Sequence, residues 1–146
     1  MTLTDENIAD YADTWVVQVR ASGTELDYGE ASVEAIEKLL RLADPELQSA
    51  DTPQNKRELI IFYNGCYLGE VMARNFGGTW RFAPQWPDSS LVFPYDNGGL
   101  QVHPFQKLYR RVTEGPEEND LVDYYKGLKE RLDVASHRGE DAHATD

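Results

Sequence analysis

Apolar residues recur every three to four positions through the first third of the chain, which predicts two amphipathic helices. The first predicted helix covers residues 5–21, because the Thr4 hydroxyl can cap its first turn and Gly23 follows its end. The second carries Val33, Ile36, Leu39, Leu40 and Ala43 on its apolar face. We expect it to end within two residues of Pro45, since proline disfavours helical backbone in the residue before it.

A third predicted helix, residues 53–75, is the most apolar and is therefore expected at the centre of the fold. Its predicted apolar stripe contains Leu59, Ile60, Tyr63, Cys66, Tyr67 and Val71. Gly65 and Gly69 lie four residues apart on one face of this helix, and each costs about 1 kcal/mol relative to alanine. We interpret them as positions where another element packs closely, in preference to a ligand site.

The hydrophobic period changes from helical to alternating after the glycine pair Gly77 and Gly78. The first of these glycines is predicted to close the helix in a left-handed conformation. Short strands are predicted around Trp80, in the segment SLVFPY and in the segment GLQVHPF. The sequence DNGG between the last two favours a tight hairpin turn, because asparagine and glycine tolerate positive φ.

The order of these elements predicts an α+β fold. N-terminal helices and a long central helix come first, then a three-stranded antiparallel meander packed on that helix, and then C-terminal helices at residues 105–112 and 113–132. Residues 1–134 are expected to form a single domain. Residues 135–146 lack apolar periodicity and are predicted to be a disordered C-terminal tail.

The chain is acidic, with a formal net charge of −12, but its charge is unevenly distributed. Residues 1–55 carry three basic and twelve acidic side chains, residues 56–112 carry seven and four, and residues 113–146 carry four and ten. This balance argues against nucleic-acid or membrane binding. The single cysteine, the polar N-terminus and the lack of an apolar run of roughly 18 residues predict a soluble cytoplasmic protein.

A basic cluster is the main candidate binding surface. On the short helix after the strands, Lys107 lies three and four residues before two arginines, so the three cations share a face. If that helix packs near the glycine turn, the cluster contains Arg74, Trp80, Arg81, Trp86, Lys107, Arg110 and Arg111. Such a patch suits an acidic partner or a phosphate-bearing ligand. The alternative is that these cations neutralise the acidic flanks of the chain.

Glu70 is an unusual residue in the apolar central helix. The simplest interpretation is an ion pair with Arg74 one turn later, and the alternative is a partly buried carboxylate that holds a neighbouring segment. A small-ligand or enzymatic pocket at the joint between helix and sheet would use Glu70, Arg74, Arg81 and His103.

The sequence gives little support for catalysis or for metal binding. Cys66 falls on an apolar helix face, where a free cysteine is usually a small buried hydrophobic residue. The three histidines show no metal-ligand spacing. We therefore expect no catalytic residue, no metal and no cofactor.

Four short elements together resemble a group of small uncharacterised bacterial proteins. They are Leu-Asp-Tyr at residues 26–28, Tyr-x-Gly-Glu at 67–70, Gly-Gly-x-Trp at 77–80 and Pro-Phe-x-Lys at 104–107. The resemblance spans roughly residues 26–126 and implies a bacterial domain of unknown function. It implies no activity, cofactor or catalytic residue.

The expected function is a non-enzymatic protein-interaction domain, immunity-like or chaperone-like, with a protein partner and a possible homodimer. The support is a high content of aromatic residues, Trp86 in a loop, and separated fields of charge. The alternative hypothesis is the ligand-binding or enzymatic pocket described above.

Overall fold

The computed structural model describes residues 2–94 and 99–144, with side chains described as far as Asp133. Within these ranges the chain forms five helices and one three-stranded antiparallel sheet, which confirms the predicted α+β fold. The elements are α1 (Asp5–Arg20), α2 (Glu30–Leu47), α3 (Gln54–Phe76), β1 (Thr79–Arg81), a 3₁₀ turn (Trp86–Asp88), β2 (Ser90–Phe93), β3 (Leu100–Val102), α4 (Pro104–Glu114) and α5 (Leu121–Ala144).

The first two helices begin and end close to their predicted positions. Thr4 caps α1 as expected: its side chain accepts a hydrogen bond from the Asn7 amide at 3.1 Å, and the Asn7 side chain accepts one from the Thr4 amide at 2.7 Å. Helix α2 continues through Pro45 and ends two residues later at Leu47. An exposed proline in the last turn removes only one helical hydrogen bond, so the helix tolerates it there.

Helix α3 lies at the centre of the fold, as its apolarity predicts. It packs against α1 and α4, and the residues from Gly65 to Met72 are all buried. The prediction for Leu59 is wrong, because this side chain is 56% exposed. Leu59 lies in an open groove beside Tyr11 and Trp86, while Ile61 and Phe62 point into the core instead.

The sheet is a meander in which each strand pairs with the next. Trp80 of β1 lies opposite Leu91 of β2, which in turn lies opposite Val102 of β3. These three side chains are buried, so one face of the sheet contributes to the core. The predicted hairpin turn between β2 and β3 falls at residues 95–98, which lie outside the described residues.

The helical glycines allow close packing, as predicted. A Cβ atom on Gly69 would lie 2.3 Å from the Trp80 ring, and one on Gly65 would lie 2.4 Å from the Phe105 ring. Gly69 therefore fits β1 against α3, while Gly65 fits α4, a neighbour that the sequence did not indicate. Gly77 ends α3 in the left-handed conformation, with φ of +74°, which confirms its predicted role.

The C-terminal part contains α4, preceded by His103, and α5, which extends to Ala144. The last helix begins at Leu121 and not at residue 113 as predicted, because Gly115 ends α4 with φ of +91°. Side chains beyond Asp133 and residues 145–146 lie outside the described residues, and the predicted disorder of residues 135–146 stays a prediction. Over the described ranges, every helix is too short or too polar to cross a membrane.

Substitution Gly69→Ala tests the close contact between α3 and β1. The added methyl group must displace the buried Trp80 ring, so we expect a loss of about 1–3 kcal/mol in the free energy of unfolding, despite the better helix propensity of alanine. The matched control is Gly127→Ala in α5, where a Cβ atom would meet nothing within 4 Å. Urea unfolding should show the control to be at least as stable as the wild type. Equal stability of both variants would contradict the packing account.

Candidate functional site

The structure does not assemble the predicted basic cluster, because Arg111 lies in the core. Its side chain is completely buried, and its guanidinium forms a paired contact with Glu37, with Nε 2.9 Å from Oε1 and Nη2 2.7 Å from Oε2. A second paired contact joins it to Asp44 at 2.8 and 3.0 Å. The prediction of Arg111 as a surface binding residue is therefore corrected: it neutralises two carboxylates of α2.

The ion pairs of Arg111 belong to a network that joins three helices. Glu37 also accepts a hydrogen bond from the Leu121 amide at the start of α5, at 2.9 Å, and lies 3.0 Å from Nε of Arg41. Arg41 in turn pairs with Asp120 at 2.7 Å. Burial alone would lower the pKa of Arg111, but the hydrogen bonds with both carboxylates outweigh that effect and raise it. Arg111 thus stays charged, and α2, α4 and α5 are held together.

The sequence does carry a signal for this network. Glu37 and Asp44 lie four and eleven residues after Val33, and Leu40 lies between them, so both acids fall on the apolar face of α2. A carboxylate on a buried face requires a cation or several donors. Because Arg111 was predicted to lie at the surface, the pairing was not predicted.

The side chains of Lys107 and Arg110 contact different parts of the structure, although both residues lie on α4. Nζ of Lys107 lies 5.3 Å from the centre of the Tyr124 ring and 3.4 Å from Oδ1 of Asn119, so this side chain faces α5. Burial and the nearby Arg110 lower the pKa of Lys107, and burial raises the pKa of Tyr124 to about 12. Arg110 is exposed and lines a groove that also contains Trp86.

Glu70 holds β1 against α3. One carboxylate oxygen accepts a hydrogen bond from Arg74 at 3.1 Å, which agrees with the ion pair predicted one turn along the helix. The other accepts a hydrogen bond from Nε1 of Trp80 at 3.1 Å, within the core. The Arg74 guanidinium also lies over the Tyr28 ring, 3.8 Å from its centre. Both oxygens of Glu70 and the cation of Arg74 therefore have structural partners.

Arg81 and His103 belong to other elements than Glu70 and Arg74, which both lie on α3. Arg81 is exposed on β1, and His103 is half-buried immediately before α4. Across residues 2–94 and 99–133, no hydrogen bond or ion pair joins either side chain to Glu70. These contacts give no support to the hypothesis of a ligand pocket at the joint between helix and sheet, and that hypothesis stays a prediction.

Cys66 is completely inaccessible, and its burial raises the pKa of the thiol. A buried neutral thiol is a poor nucleophile, and Cys66 packs as a small hydrophobic residue. Among the described residues, no group of three or more histidine, cysteine, aspartate or glutamate side chains is placed to hold a metal ion.

The structure places Trp86 at the junction of two surface grooves. The larger groove, about 690 Å³ in volume, lies between the start of α3, the 3₁₀ turn and α4. Its lining comprises Gln54, Glu58, Ile61, Gln85, Trp86, Pro87, Phe105, Gln106, Tyr109, Arg110 and Glu114. The smaller groove, about 390 Å³, passes between α1 and α3 and shares Glu58 and Trp86 with the larger one. We call the larger of the two the Trp86 groove.

The Trp86 ring is rigidly supported. It meets the Phe62 and Phe105 rings edge to face, with ring centres 5.1 Å apart in each case. Tyr109, by contrast, is 55% exposed on the α4 side of the groove. The sequence identified Trp86 as a candidate binding residue, but it gave no indication of Tyr109, Glu58 or the groove itself. The groove forms only where α4 packs on α3, which local sequence patterns do not specify.

Comparisons of the chain with protein-family models, with curated protein sequences and with solved structures found no match. The resemblance to a bacterial group, based on four short elements, therefore stays a prediction.

Replacing Arg111 with methionine tests the buried ion network. The variant leaves Glu37 and Asp44 without their main cation, so we expect a loss of about 3 kcal/mol or more in the free energy of unfolding. The matched control is Arg110→Met, an exposed position on the same helix, where the change should stay within about 0.5 kcal/mol. Urea unfolding measures both. Similar small effects at the two positions would refute the network's structural role.

Asp120 lies at the end of the ion network, and the pH dependence of the free energy of unfolding tests its contribution to stability. Burial would raise the pKa of this carboxyl, but hydrogen bonds from Arg41 and from the Asp123 and Val122 amides outweigh burial and lower it below 3.8. The stabilisation that Asp120 provides is therefore complete above pH 3.8 and is lost as the pH falls through the lower pKa of the folded state. Asp120→Asn should be less stable than the wild type at neutral pH, and the difference should shrink below pH 3.8. A difference that does not change with pH would contradict this assignment.

Proposed function

We propose that the protein is a non-enzymatic protein-interaction domain whose contact surface is the Trp86 groove. The observation that carries this proposal is the arrangement of the rigidly supported Trp86 beside the exposed Tyr109 in an open groove. Tryptophan, tyrosine and arginine are the residue types that most often dominate the energy of protein interfaces, and Arg110 supplies the third of them.

The shape of the surface also supports a protein partner. The Trp86 groove and its smaller neighbour meet at Glu58 and Trp86, and Leu59 adds a large exposed apolar side chain to the smaller one. A continuous surface that combines aromatic and polar side chains has the mixed composition of known interfaces. Rigid support of Trp86 also reduces the entropy that ordering this side chain would cost on binding.

Two biological roles fit a domain of this kind: an immunity-like partner that blocks a toxin, or a chaperone-like module that holds another protein. Both involve a cytoplasmic bacterial protein whose acidic surface keeps it soluble and away from nucleic acid. A stable complex with a protein is the property common to the two roles. The proposal therefore commits to a protein partner and to the Trp86 groove.

Site-specific photocrosslinking in the native host tests this proposal. A photoreactive phenylalanine analogue replaces Tyr109 in the groove, or Leu42 as the control, since Leu42 is 77% exposed on α2 and lines a different groove. We expect a discrete crosslinked protein adduct from position 109 and none from position 42. Mass spectrometry then identifies the partner.

Two results would contradict the proposed function. The first is a lack of any protein adduct from position 109 when the variant is folded and expressed at the normal level. The second is equal labelling of the same proteins from positions 109 and 42, which would indicate random collisions.

A further inference from the structure

The walls of the Trp86 groove are helical on both sides. Gln54, Glu58 and Ile61 recur at helical spacing along one face of α3, and Gln106 and Arg110 lie one turn apart on α4. A groove between two helices accepts the side-chain ridge of a third helix, as in ordinary helix packing and in recognition of amphipathic helices. The volume of about 690 Å³ is large enough for several side chains.

The lining of the groove combines apolar and polar side chains. Trp86 and Tyr109 are its aromatic side chains with exposed surface, and the buried Ile61 and Phe105 also line it. Glutamine amides from three different segments line the same groove: Gln54, Gln85 and Gln106. An occupant therefore needs an apolar stripe with polar side chains on both sides, which is the pattern of an amphipathic helix.

The charge of the groove favours a cationic occupant. Its lining holds two carboxylates, Glu58 and Glu114, and one cation, Arg110. Within the part of the chain whose side chains are described, no ion pair engages any of these three, although one oxygen of Glu114 accepts a hydrogen bond from Asn119 at 3.2 Å. Arg41, Arg74 and Arg111, by contrast, are all in ion pairs. The whole chain adds a net charge of −12, which accelerates association with a positively charged partner.

We propose that the Trp86 groove binds a cationic amphipathic helix of the partner protein. Apolar side chains of that helix contact Trp86 and Tyr109, and its lysine or arginine side chains pair with Glu58 and Glu114 while their aliphatic stems cover the rim. This inference rests on the proposed function and specifies the chemistry of the partner.

Synthetic peptides of about 14 residues test the inference without knowledge of the natural partner. The probe is a leucine–lysine peptide with helical periodicity. A scrambled peptide of the same composition and a leucine–glutamate peptide of the same pattern are the controls. Binding to the full chain is measured by calorimetry at about 0.1 M salt, where the Debye length is about 10 Å. We expect the patterned cationic peptide to bind at least about tenfold more tightly than either control.

Matched double variants locate the site. Glu58→Gln with Tyr109→Ser changes two exposed residues of the Trp86 groove. In the groove at α2, Glu34→Gln with Leu42→Ser likewise removes one carboxylate charge and truncates one large exposed side chain. The first variant should weaken binding of the cationic peptide by about tenfold or more, and the second should leave it unchanged. Equal binding of the scrambled peptide, or equal losses in both variants, would overturn the proposal, because both results indicate unspecific attraction to an acidic protein.

Two further results separate this inference from the proposed function. If position 109 crosslinks a protein in cells but the cationic peptide does not bind, the chemistry assigned to the partner is wrong and the interaction role stands. If sedimentation shows a wild-type dimer that Tyr109→Ser dissociates, a second copy of the chain occupies the groove and the inference is overturned.

Discussion

The buried ion pairs of Arg111 fix the orientation of α4, and the Trp86 groove depends on that orientation. An α-helix turns by about 100° per residue, so a helix that directs Arg111 toward Glu37 and Asp44 of α2 must direct Tyr109 and Arg110 elsewhere. In this structure they line the groove formed with α3 and the 3₁₀ turn. The amide of Leu121 donates to the same Glu37, which places the start of α5 as well.

We infer that the ion pairs of Arg111 determine how the helices pack more than they increase the free energy of unfolding. A buried ion pair often contributes little compared with apolar packing of the same volume, but a buried charge without its partner is strongly unfavourable. Other packings of α4 would leave Asp44 without its cation and Glu37 with Arg41 alone. We infer that the network excludes those packings, while contacts such as Gly65 with Phe105 and Glu70 with Trp80 set the distances between α3, α4 and the sheet.

The sequence predicted the fold class, most helix ends, the order of strands and the role of the glycines, because these depend on local periodicity and backbone conformation. It misplaced two side chains, Arg111 and Leu59. Arg111 was assigned to the surface because its partners Glu37 and Asp44 lie 74 and 67 positions away in the chain. Leu59 was assigned to the core because helical spacing alone does not show where a groove remains open. Trp86 was named from the sequence as a candidate binding residue, but the surface around it arises from tertiary packing.

The measurement that tests the central claim most directly is fluorine NMR of protein labelled with fluorotryptophan. The chain contains three tryptophans in different settings: Trp80 is buried in the sheet, Trp15 donates a hydrogen bond to Asn64, and Trp86 lies at the groove. Titration with the crosslinked partner, or with the cationic amphipathic peptide, should shift the Trp86 resonance and leave the other two in place. A shift of Trp15 alone, or of no tryptophan at saturation, would contradict the account.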